Sequence, residues 1–406
     1  MRPRQDGAAV RTVRSLDIWR VFLWGGPRRV SAQPSATSGA SSCICALMMN
    51  DDEIQAWVAD PKRAGTLPFA AFEPRYPHKG VGAALAVRGV LYFKGGYSRD
   101  VRREISACFD QYKEVASGAL RWFFLEGKRA VSIAKAPSLA TLAASLSEDQ
   151  PFTFAFTSGD STREASMYGF DAFCLEKWQA ALGTRGLDVL SFSLPVPVVK
   201  ADPDLLPRLF AEFARRLNAI HGHAGYAVNL PPTAREENES SEYFMSNRLG
   251  PGLDVGDPFA TEVRSLMDNI KTVDWLTLIS ASMVDRVGGV SVLKSELPMD
   301  WYRLTQCSEG LLIRAGVLPA AGVNAGSGDK PVGPPPAYVV LNAALRHLIP
   351  DTVSILQRGT VNGDAPVFNS KTSSNAWLRR LDVSSDELLA AKAAVLDTPR
   401  LSDSSS

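Results

Sequence analysis

Short runs of alternating apolar and polar residues constrain the fold of this chain more than any other feature. The clearest run is 152–158, where three phenylalanines alternate with Thr153, Ala155 and Thr157. Successive side chains of a strand point to opposite faces, so this period of two predicts a strand. Residues 83–94 alternate similarly and predict a strand buried on one face only. Further strands are predicted at 120–125, 167–175, 187–199, 225–230, 275–278, 302–305 and 311–317.

Helical patterns separate these strands, and two of them open with an Asp-Pro pair, Asp202-Pro203 and Asp257-Pro258. Asp caps the first amides of a helix, and Pro is tolerated in the first turn because its missing N–H would be unpaired there. After Asp202, apolar residues recur at helical spacing as far as Ile220, and Gly222 is expected to end the helix. Other helices are predicted at 52–58, from Ser98, at 138–146, 281–287 and 336–348, and after the capping box of Ser384 and Glu387.

Strands and helices in this order predict an α+β fold, with antiparallel sheets covered by helices. Residues 49–350 are expected to form the domain, in two lobes, 75–230 and 240–350, that share an order of elements without a residue-level repeat. Residues 351–406 are predicted to be a tail with a terminal helix. Pro195 and Pro197 cannot donate ladder hydrogen bonds and favour an edge position for the strand 187–199. Residues 231–242 and 320–335 have the composition of loops.

The first 47 residues have a different composition from the rest of the chain. They carry seven Arg and two Asp, with neither Lys nor Glu, so their charge is +5, against +1 for the whole chain. The apolar run 21–24 is too short for a secretory signal, and Arg20 directly precedes it. We expect residues 1–48 to be a spurious or disordered extension, with translation beginning at Met48 or Met49. The remainder is mildly acidic.

Composition and spacing favour few kinds of chemistry. A net charge of +1 argues against binding to nucleic acid through phosphate neutralisation. No apolar run is long enough to span a membrane, which takes about 18 residues or more. Cys108, Cys174 and Cys307 are predicted to be buried free thiols. His221 and His223 are separated by a glycine and are expected to cap a helix end rather than bind a metal.

Familiar catalytic loops are not matched either. The glycines around residue 80 precede a strand, whereas a dinucleotide-binding loop follows one, and the run 322–328 lacks the Lys-Ser/Thr of a P-loop. The turn 158–162 does not have the Gly-x-Ser-x-Gly pattern of a nucleophile elbow. We therefore predict no catalytic residue, no metal and no cofactor, although catalytic groups that meet only in three dimensions leave an enzyme of unknown chemistry open as an alternative.

The stretch from His223 to Gly316 carries four distinctive patches. They are His223-Ala-Gly-Tyr-Ala-Val-Asn229, Asn247-Arg-Leu-Gly-Pro-Gly-Leu-Asp254, Ile270-Lys-Thr-Val-Asp-Trp-Leu-Thr-Leu278 and Gly310-Leu-Leu-Ile-Arg-Ala-Gly316. This succession resembles the type VI immunity family, the TsiV-like proteins. Gly250 stands where the family has a bulky residue, and the turn near 322–324 lacks the family's Asp. Each patch is also explained by a structural role, which we favour for Trp275 and Ile313.

The resemblance implies a cytoplasmic partner protein that binds and occludes a type VI effector toxin, a nuclease with a VRR-Nuc domain in the named cases. An acidic surface with aromatic residues would then cover a basic cleft. From their charge and loop position, we expect this surface to include a set of four carboxylates and two aromatic rings, Glu236, Glu237, Glu239, Glu242, Tyr243 and Phe244. A solvated loop remains the alternative for these residues, and a scaffold of the secretion apparatus remains one for the protein.

Overall fold

The computed structural model of the protein describes residues 49–402, except 74, 77, 184, 308–309, 324–332 and 360–366. One antiparallel sheet of 11 strands organises this part of the chain. The strands are β1 (Thr66–Pro68), β2 (Val81–Phe93), β3 (Trp122–Leu125), β4 (Val131–Ser132), β5 (Phe154–Thr157), β6 (Gly169–Phe173), β7 (Asp188–Leu194), β8 (His221–Asn229), β9 (Leu276–Ile279), β10 (Tyr302–Cys307) and β11 (Gly310–Ala315). Their order is β10-β11-β9-β8-β2-β7-β6-β5-β3-β4, and β1 pairs with the start of β2.

Helices surround this sheet in the described part of the chain, so the predicted α+β class is confirmed. They are α1 (Asp51–Ala59), α2 (Arg99–Ala116), α3 (Leu139–Ser145), α4 (Lys177–Ala181), α5 (Val196–Ala201), α6 (Leu205–Arg216), α7 (Glu239–Leu249), α8 (Thr261–Arg264), α9 (Ala281–Arg286), α10 (Gly289–Glu296), α11 (Pro336–Leu345), α12 (Lys371–Leu378) and α13 (Ser385–Leu396). Ser98 caps α2 and Ser384 caps α13, as predicted. Along the described chain, no helix is both long and apolar enough to cross a membrane.

The largest core lies between one face of the central strands and the helices α2 and α6. The alternating phenylalanines of β5 lie in this core, where the ring centroids of Phe156 and Phe109 of α2 are 4.1 Å apart. Phe170 of β6 and Phe192 of β7 belong to the same core. The hydroxyl of Tyr112 on α2 donates to the carbonyl of Ser193 at 2.7 Å. The period of two in the sequence thus identified the face that packs against helices.

The opposite face of the central strands is also covered, so the prediction of a half-buried β2 is wrong. Arg88 and Tyr92 were expected to face solvent, but they are only 3% and 0% exposed. The three described cysteines, Cys108, Cys174 and Cys307, are buried and free, as predicted. Cys43 and Cys45 lie outside the described residues, together with the rest of the predicted extension 1–48.

The predicted strand 187–199 is wrong in its second half and in its position. β7 ends at Leu194, and the chain then forms α5, with Pro195 as its N-cap and Pro197 in its first turn. Both prolines therefore begin a helix, where a missing N–H costs little. β7 lies between β2 and β6, in the interior of the sheet.

The helix after Asp202 is confirmed, but its predicted ends are wrong. It begins at Leu205, with Asp204 as N-cap, while the side chain of Asp202 accepts from the Asp204 amide at 3.1 Å. It ends before Asn218, whose φ of 46° is left-handed and breaks the helical repeat. His221, Gly222 and His223 therefore lie in β8, and the prediction that the two histidines cap a helix is wrong.

The long helix predicted after Asp257-Pro258 is also wrong, because only the four-residue α8 forms there. The Asp257 side chain accepts from the Phe259 amide at 3.1 Å and holds a turn instead. Farther on, the Ile270 amide donates to the carbonyl of Leu348 at 2.9 Å, so the backbone is paired with a distant segment. The hairpin of β10 and β11 is confirmed, with Tyr302 opposite Ala315.

The sheet runs through both of the predicted lobes. β8, from the range 75–230, pairs with β9, from the range 240–350, and places His223 opposite Thr277. The C-terminal segment also packs against the domain. The side-chain amide of Asn342 on α11 donates to the carboxylate of Asp382, which precedes α13, at 2.9 Å. The division into lobes and tail stays a prediction about organisation.

Candidate functional site

Polar side chains follow the central strands on the face that lies away from α2 and α6. The register places Asp171 of β6 opposite Ser191 of β7, and Ser193 of β7 opposite Arg88 of β2. His223 of β8 lies opposite Val90 of β2, and hence on this same face. A row of buried polar groups in the middle of a sheet requires partners for each of them. We use the name polar face for this side of the sheet, with the residues Arg88, Asp171, Ser191, Ser193 and His223.

Asp254 is the centre of the polar face. Its backbone amide donates to the carbonyl of Tyr226 at 2.8 Å, so the segment after α7 lies directly on β8. One carboxylate oxygen accepts from Arg88 Nη2 at 2.9 Å and from His223 Nε2 at 3.1 Å. The other oxygen accepts from Lys271 Nζ at 2.6 Å. Arg88, His223, Asp254 and Lys271, which we call the Asp254 cluster, are each at most 3% exposed.

The charges of the Asp254 cluster follow from this geometry. Burial acts to raise the pKa of Asp254, but Lys271, His223 and Arg88 hold that pKa well below its usual range. Burial lowers the pKa of His223, even though Asp254 opposes the shift, so the ring is neutral near pH 7. An ionised carboxylate only accepts hydrogen bonds, and we therefore assign the ring hydrogen of His223 to Nε2. This imidazole orients a buried ion pair.

His221, two residues earlier on β8, is likewise part of the interior. Its Nε2 lies 2.8 Å from the carbonyl oxygen of Leu266, and its ring stacks on Tyr92 with centroids 4.6 Å apart. Burial lowers its pKa to about 3, so this side chain is neutral. Among the described residues, no group of three or more His, Cys, Asp and Glu side chains could hold a metal ion.

The predicted loop 231–242 is wrong in its second half, because residues 236–238 form a 3-10 helix and α7 starts at Glu239. Two of the predicted surface carboxylates consequently lie inside the protein. Glu239 accepts from the Gly359 amide at 2.6 Å, and Glu242 accepts from the Gly256 amide at 3.1 Å. Burial raises the pKa of Glu239 to about 8. These carboxylates attach α7 to neighbouring segments, and in this arrangement they are not accessible to a partner.

The other four predicted surface residues have mixed positions. Glu236 is 45% exposed, with an oxygen 3.8 Å from Arg358 Nη1, and Glu237 is partly buried. Tyr243 packs on Phe368 at 4.8 Å between ring centroids, and Phe244 packs on Phe72 at 4.9 Å. Both aromatic rings therefore contribute to packing inside the protein. All four side chains are partly buried, and Glu236 keeps 45% of its side-chain surface exposed.

A small polar pocket lies beside this 3-10 helix, over the polar face. Its floor consists of β-strand residues and its rim includes Pro232, Arg235 and Phe259. The floor groups are mostly hydroxyls and charged side chains, namely Arg88, Thr157, Asp171, Ser191, Ser193 and Asn229. Asn229 is fully engaged as a donor, since its amide nitrogen contacts the Ser166 carbonyl at 2.8 Å and Ser193 Oγ at 2.7 Å.

The distinctive sequence patches converge in the interior. Asp254 ends one patch and Lys271 belongs to the next, and the two meet in the Asp254 cluster. Trp275 is completely buried, and its indole nitrogen donates to the carbonyl of Gly316 at 3.0 Å. Gly250 has φ of 135°, and a Cβ there would come within 2.3 Å of the Ala321 carbonyl oxygen. A bulky residue therefore cannot fit at Gly250 in this backbone.

Sequence reasoning missed the Asp254 cluster. Asp254 and Lys271 were named only as members of two sequence patches and were given no role. Arg88 was assigned to the exposed face of a strand. The available signal was the charged Arg88 within an otherwise apolar strand, combined with two further charges in distinctive patches. Nothing in the spacing of residues 88, 254 and 271 brings them together before the fold is known.

Known proteins resemble this chain both in sequence and in structure. Residues 104–381 match the TsiV family model, described as type VI immunity for VRR-Nuc. Among solved structures, the chain is similar to the Pseudomonas aeruginosa T6SS protein PA0821, with 31% sequence identity and a TM-score of 0.78. That similarity covers 86% of this chain and 96% of the other. No curated protein sequence matches the chain.

Proposed function

The chain belongs to the TsiV family of type VI immunity proteins for VRR-Nuc, and from this premise we propose that it binds a cognate VRR-Nuc effector toxin and blocks it. The proposed mechanism is occlusion in the cytoplasm of the producing cell, without chemistry on the toxin. The observation that carries the proposal is the family match, which spans the strands β3 to β11 and includes His223, Asp254 and Lys271, while Arg88 on β2 lies before it. The cluster fits a structural role, since Asp254 already binds Arg88, His223 and Lys271.

The contact surface that we propose is the exposed side of the 3-10 helix, with Glu236, Glu237 and the neighbouring ring of Tyr76. Burial raises the pKa of Tyr76, and the charge of Glu237 raises it further. Carboxylates beside an aromatic ring suit the basic, phosphate-binding cleft of a nuclease. Tyr243 and Phe244 pack on Phe368 and Phe72 and are left out of this surface. Tyr76 is partly buried as well, and its ring packs edge-on against Phe69 with centroids 6.3 Å apart.

Affinity capture tests the function itself. The full chain, tagged and expressed in its native bacterium, is expected to copurify at moderate salt with one stoichiometric partner that carries a nuclease domain. The purified partner should lose DNA cleavage when the immunity protein is added in equal amount. Capture of secretion-apparatus subunits alone would favour the scaffold alternative. A folded protein that captures no partner would overturn the proposal and direct attention to a substrate screen.

Charge reversal tests the surface. The double variant Glu236→Lys/Glu237→Lys is expected to bind the captured nuclease about tenfold more weakly, mainly through slower association, because surface charges steer encounter. The matched control reverses two exposed carboxylates of α2, Asp110→Lys/Glu114→Lys, on the helix that covers the opposite face of the sheet. Equal affinity of the two double variants would refute this surface while leaving the capture result unaffected.

A further inference from the structure

Four residues that line the pocket beside the 3-10 helix each have a buried polar atom with no hydrogen-bond partner among the described residues. These atoms are Arg88 Nε, Arg235 Nη1, Thr157 Oγ1 and Asp171 Oδ1. Arg88 is 3% exposed and Thr157 is 5% exposed. Buried polar groups in folded proteins are almost always paired, so several such atoms around one space point to an occupant of that space.

The two arginines approach the pocket from different sides. Arg88 stands on β2 in the floor, and its Nη2 is bound to Asp254 at 2.9 Å. Arg235 comes from the segment above the sheet, and its Nε lies 3.8 Å from Asp257. Each guanidinium thus has a carboxylate near one nitrogen, while a different N–H has no hydrogen-bond partner among the described residues. Arg235 is 23% exposed, so the pocket opens to solvent along this rim.

These donors suit an anion with two oxygens in a plane. Guanidinium groups recognise carboxylates through paired, charge-assisted N–H···O bonds. The hydroxyl of Thr157 adds a third donor. Asp171 is the one group that would repel an anion, and it accepts a proton readily: burial raises its pKa to about 7, with Asp257 in the same direction and Arg235 and Arg88 opposing. When protonated, its carboxyl donates a hydrogen bond and carries no charge.

We propose that this pocket binds a carboxylate group, held by Arg88 Nε and Arg235 Nη1, with the hydroxyl of Thr157 as a further donor. The carboxylate belongs either to a small free acid or to an Asp or Glu side chain of a protein partner. Only the second source rests on the proposed function. In that case the pocket is an anchoring point directly beside Glu236 and Glu237, and it adds a buried polar contact to a steering surface.

Titration of the full-length protein with acetate tests the pocket without any partner. Acetate is added against chloride at constant ionic strength near pH 6.5, and the ¹⁵N–¹H signals of the arginine Nε groups are followed. A saturable shift of the buried Arg88 signal is expected. Arg235→Gln should weaken acetate binding about tenfold, the value of one charge-assisted hydrogen bond. The control Arg208→Gln changes an exposed arginine of α6, on the other side of the sheet, and should bind acetate normally.

The variant Asp171→Asn distinguishes a bound carboxylate from other occupants of the pocket. An amide cannot ionise, so this variant should bind acetate at least as tightly as the wild type and should lose the weakening that the wild type shows above pH 7. An Arg88 signal that does not saturate with acetate in either protein would overturn the proposal. The proposal would also be overturned if ammonium shifted the Arg88 signal in the wild type but not in Asp171→Asn, because the pocket would then bind a cation.

The two sources of the carboxylate are separated with the captured nuclease. If the partner supplies it, Arg235→Gln should weaken the complex and acetate should compete with the nuclease. If acetate binds but the nuclease is insensitive to both, the occupant is a free acid. Failure of the acetate titration overturns the pocket but leaves the capture of a nuclease intact, so the two proposals fail independently.

Discussion

Asp254→Asn is the sharpest test of the view that the Asp254 cluster holds the fold together. The carboxylate accepts three hydrogen bonds, at 2.6, 2.9 and 3.1 Å, and two of the donors are buried cations. An asparagine side chain has one acceptor oxygen and one donor nitrogen. If the oxygen faces Arg88 and His223, the NH₂ group points its hydrogens at Lys271; if it is turned round, it points them at Arg88. Both buried cations therefore lose their countercharge, and one of them always faces an N–H donor instead of an acceptor.

The expected loss of free energy of unfolding follows from the removal of this buried charge. Removal of one partner from a buried ion pair destabilises a protein by about 3–5 kcal/mol, because the remaining charge is left without compensation. Total stabilities are about 5–15 kcal/mol, so the variant should lose a large part of its free energy of unfolding. Urea unfolding followed by tryptophan fluorescence measures the loss. The control is Asp100→Asn, whose pair with Arg103 lies at the surface with side chains 83% and 71% exposed, and whose unfolding midpoint should not move.

A double variant distinguishes an uncompensated charge from a general loss of packing. Lys271→Met removes one of the two cations that Asp254→Asn leaves without a countercharge, so the pair of changes should cost clearly less than the sum of the single changes. Loss of less than about 1 kcal/mol in Asp254→Asn, the range of a surface pair, would refute the reasoning. Strict additivity of the two changes would refute it as well.

Two further predictions concern burial. The pKa of Glu239 is raised to about 8, above its unfolded value, so the native state holds a proton there and this contribution to stability is lost as pH rises toward 8. Glu239→Gln should flatten the fall in free energy of unfolding between about pH 5 and 8, and an unchanged slope would contradict the assignment. Trp275→Ala should cost about 3–5 kcal/mol by urea unfolding, because this side chain is fully buried. Trp178→Ala, at a position that is 50% exposed, is the control, and an equal cost would contradict the role of Trp275.

Periodicity predicted the parts of the fold that local sequence determines. The alternation in 152–158 identified β5 and its core face, and Ser98 and Ser384 marked the first turns of α2 and α13. The hairpin of β10 and β11 was found because its two strands are separated by a short turn. In these elements the partners lie close in sequence or the pattern repeats, so the local signal and the tertiary structure agree.

Tertiary structure decided the elements that sequence reasoning got wrong. Residues 231–242 have the composition of an acidic loop. Glu239 and Glu242 are nevertheless buried, because they accept hydrogen bonds from the backbone amides of Gly359 and Gly256. The helix expected after Asp257 does not extend, because the Ile270 amide is paired with a carbonyl from a segment far along the chain. α7 was missed because its buried residues are mostly polar and do not form an apolar stripe.

The pocket could not be predicted for a similar reason. Its lining comes from β2, β5, β6, β7 and β8 and from the segment above them. Each of its polar residues has an ordinary local explanation, such as the surface of a half-buried strand. Only the pairing of Ser193 with Arg88 and of Ser191 with Asp171 brings these residues to one face. Sequence spacing carries no information about such a register across five strands.

The positions of the family patches explain why the resemblance identifies the family better than it identifies a contact surface. Asp254 and Lys271 come from different patches and bind each other, and Trp275 binds the carbonyl of Gly316 from another. Such residues stabilise the fold together and are hidden from any partner. On the proposed function, an effector is recognised by side chains that the patches do not include, such as Glu236 and the arginine at the pocket rim.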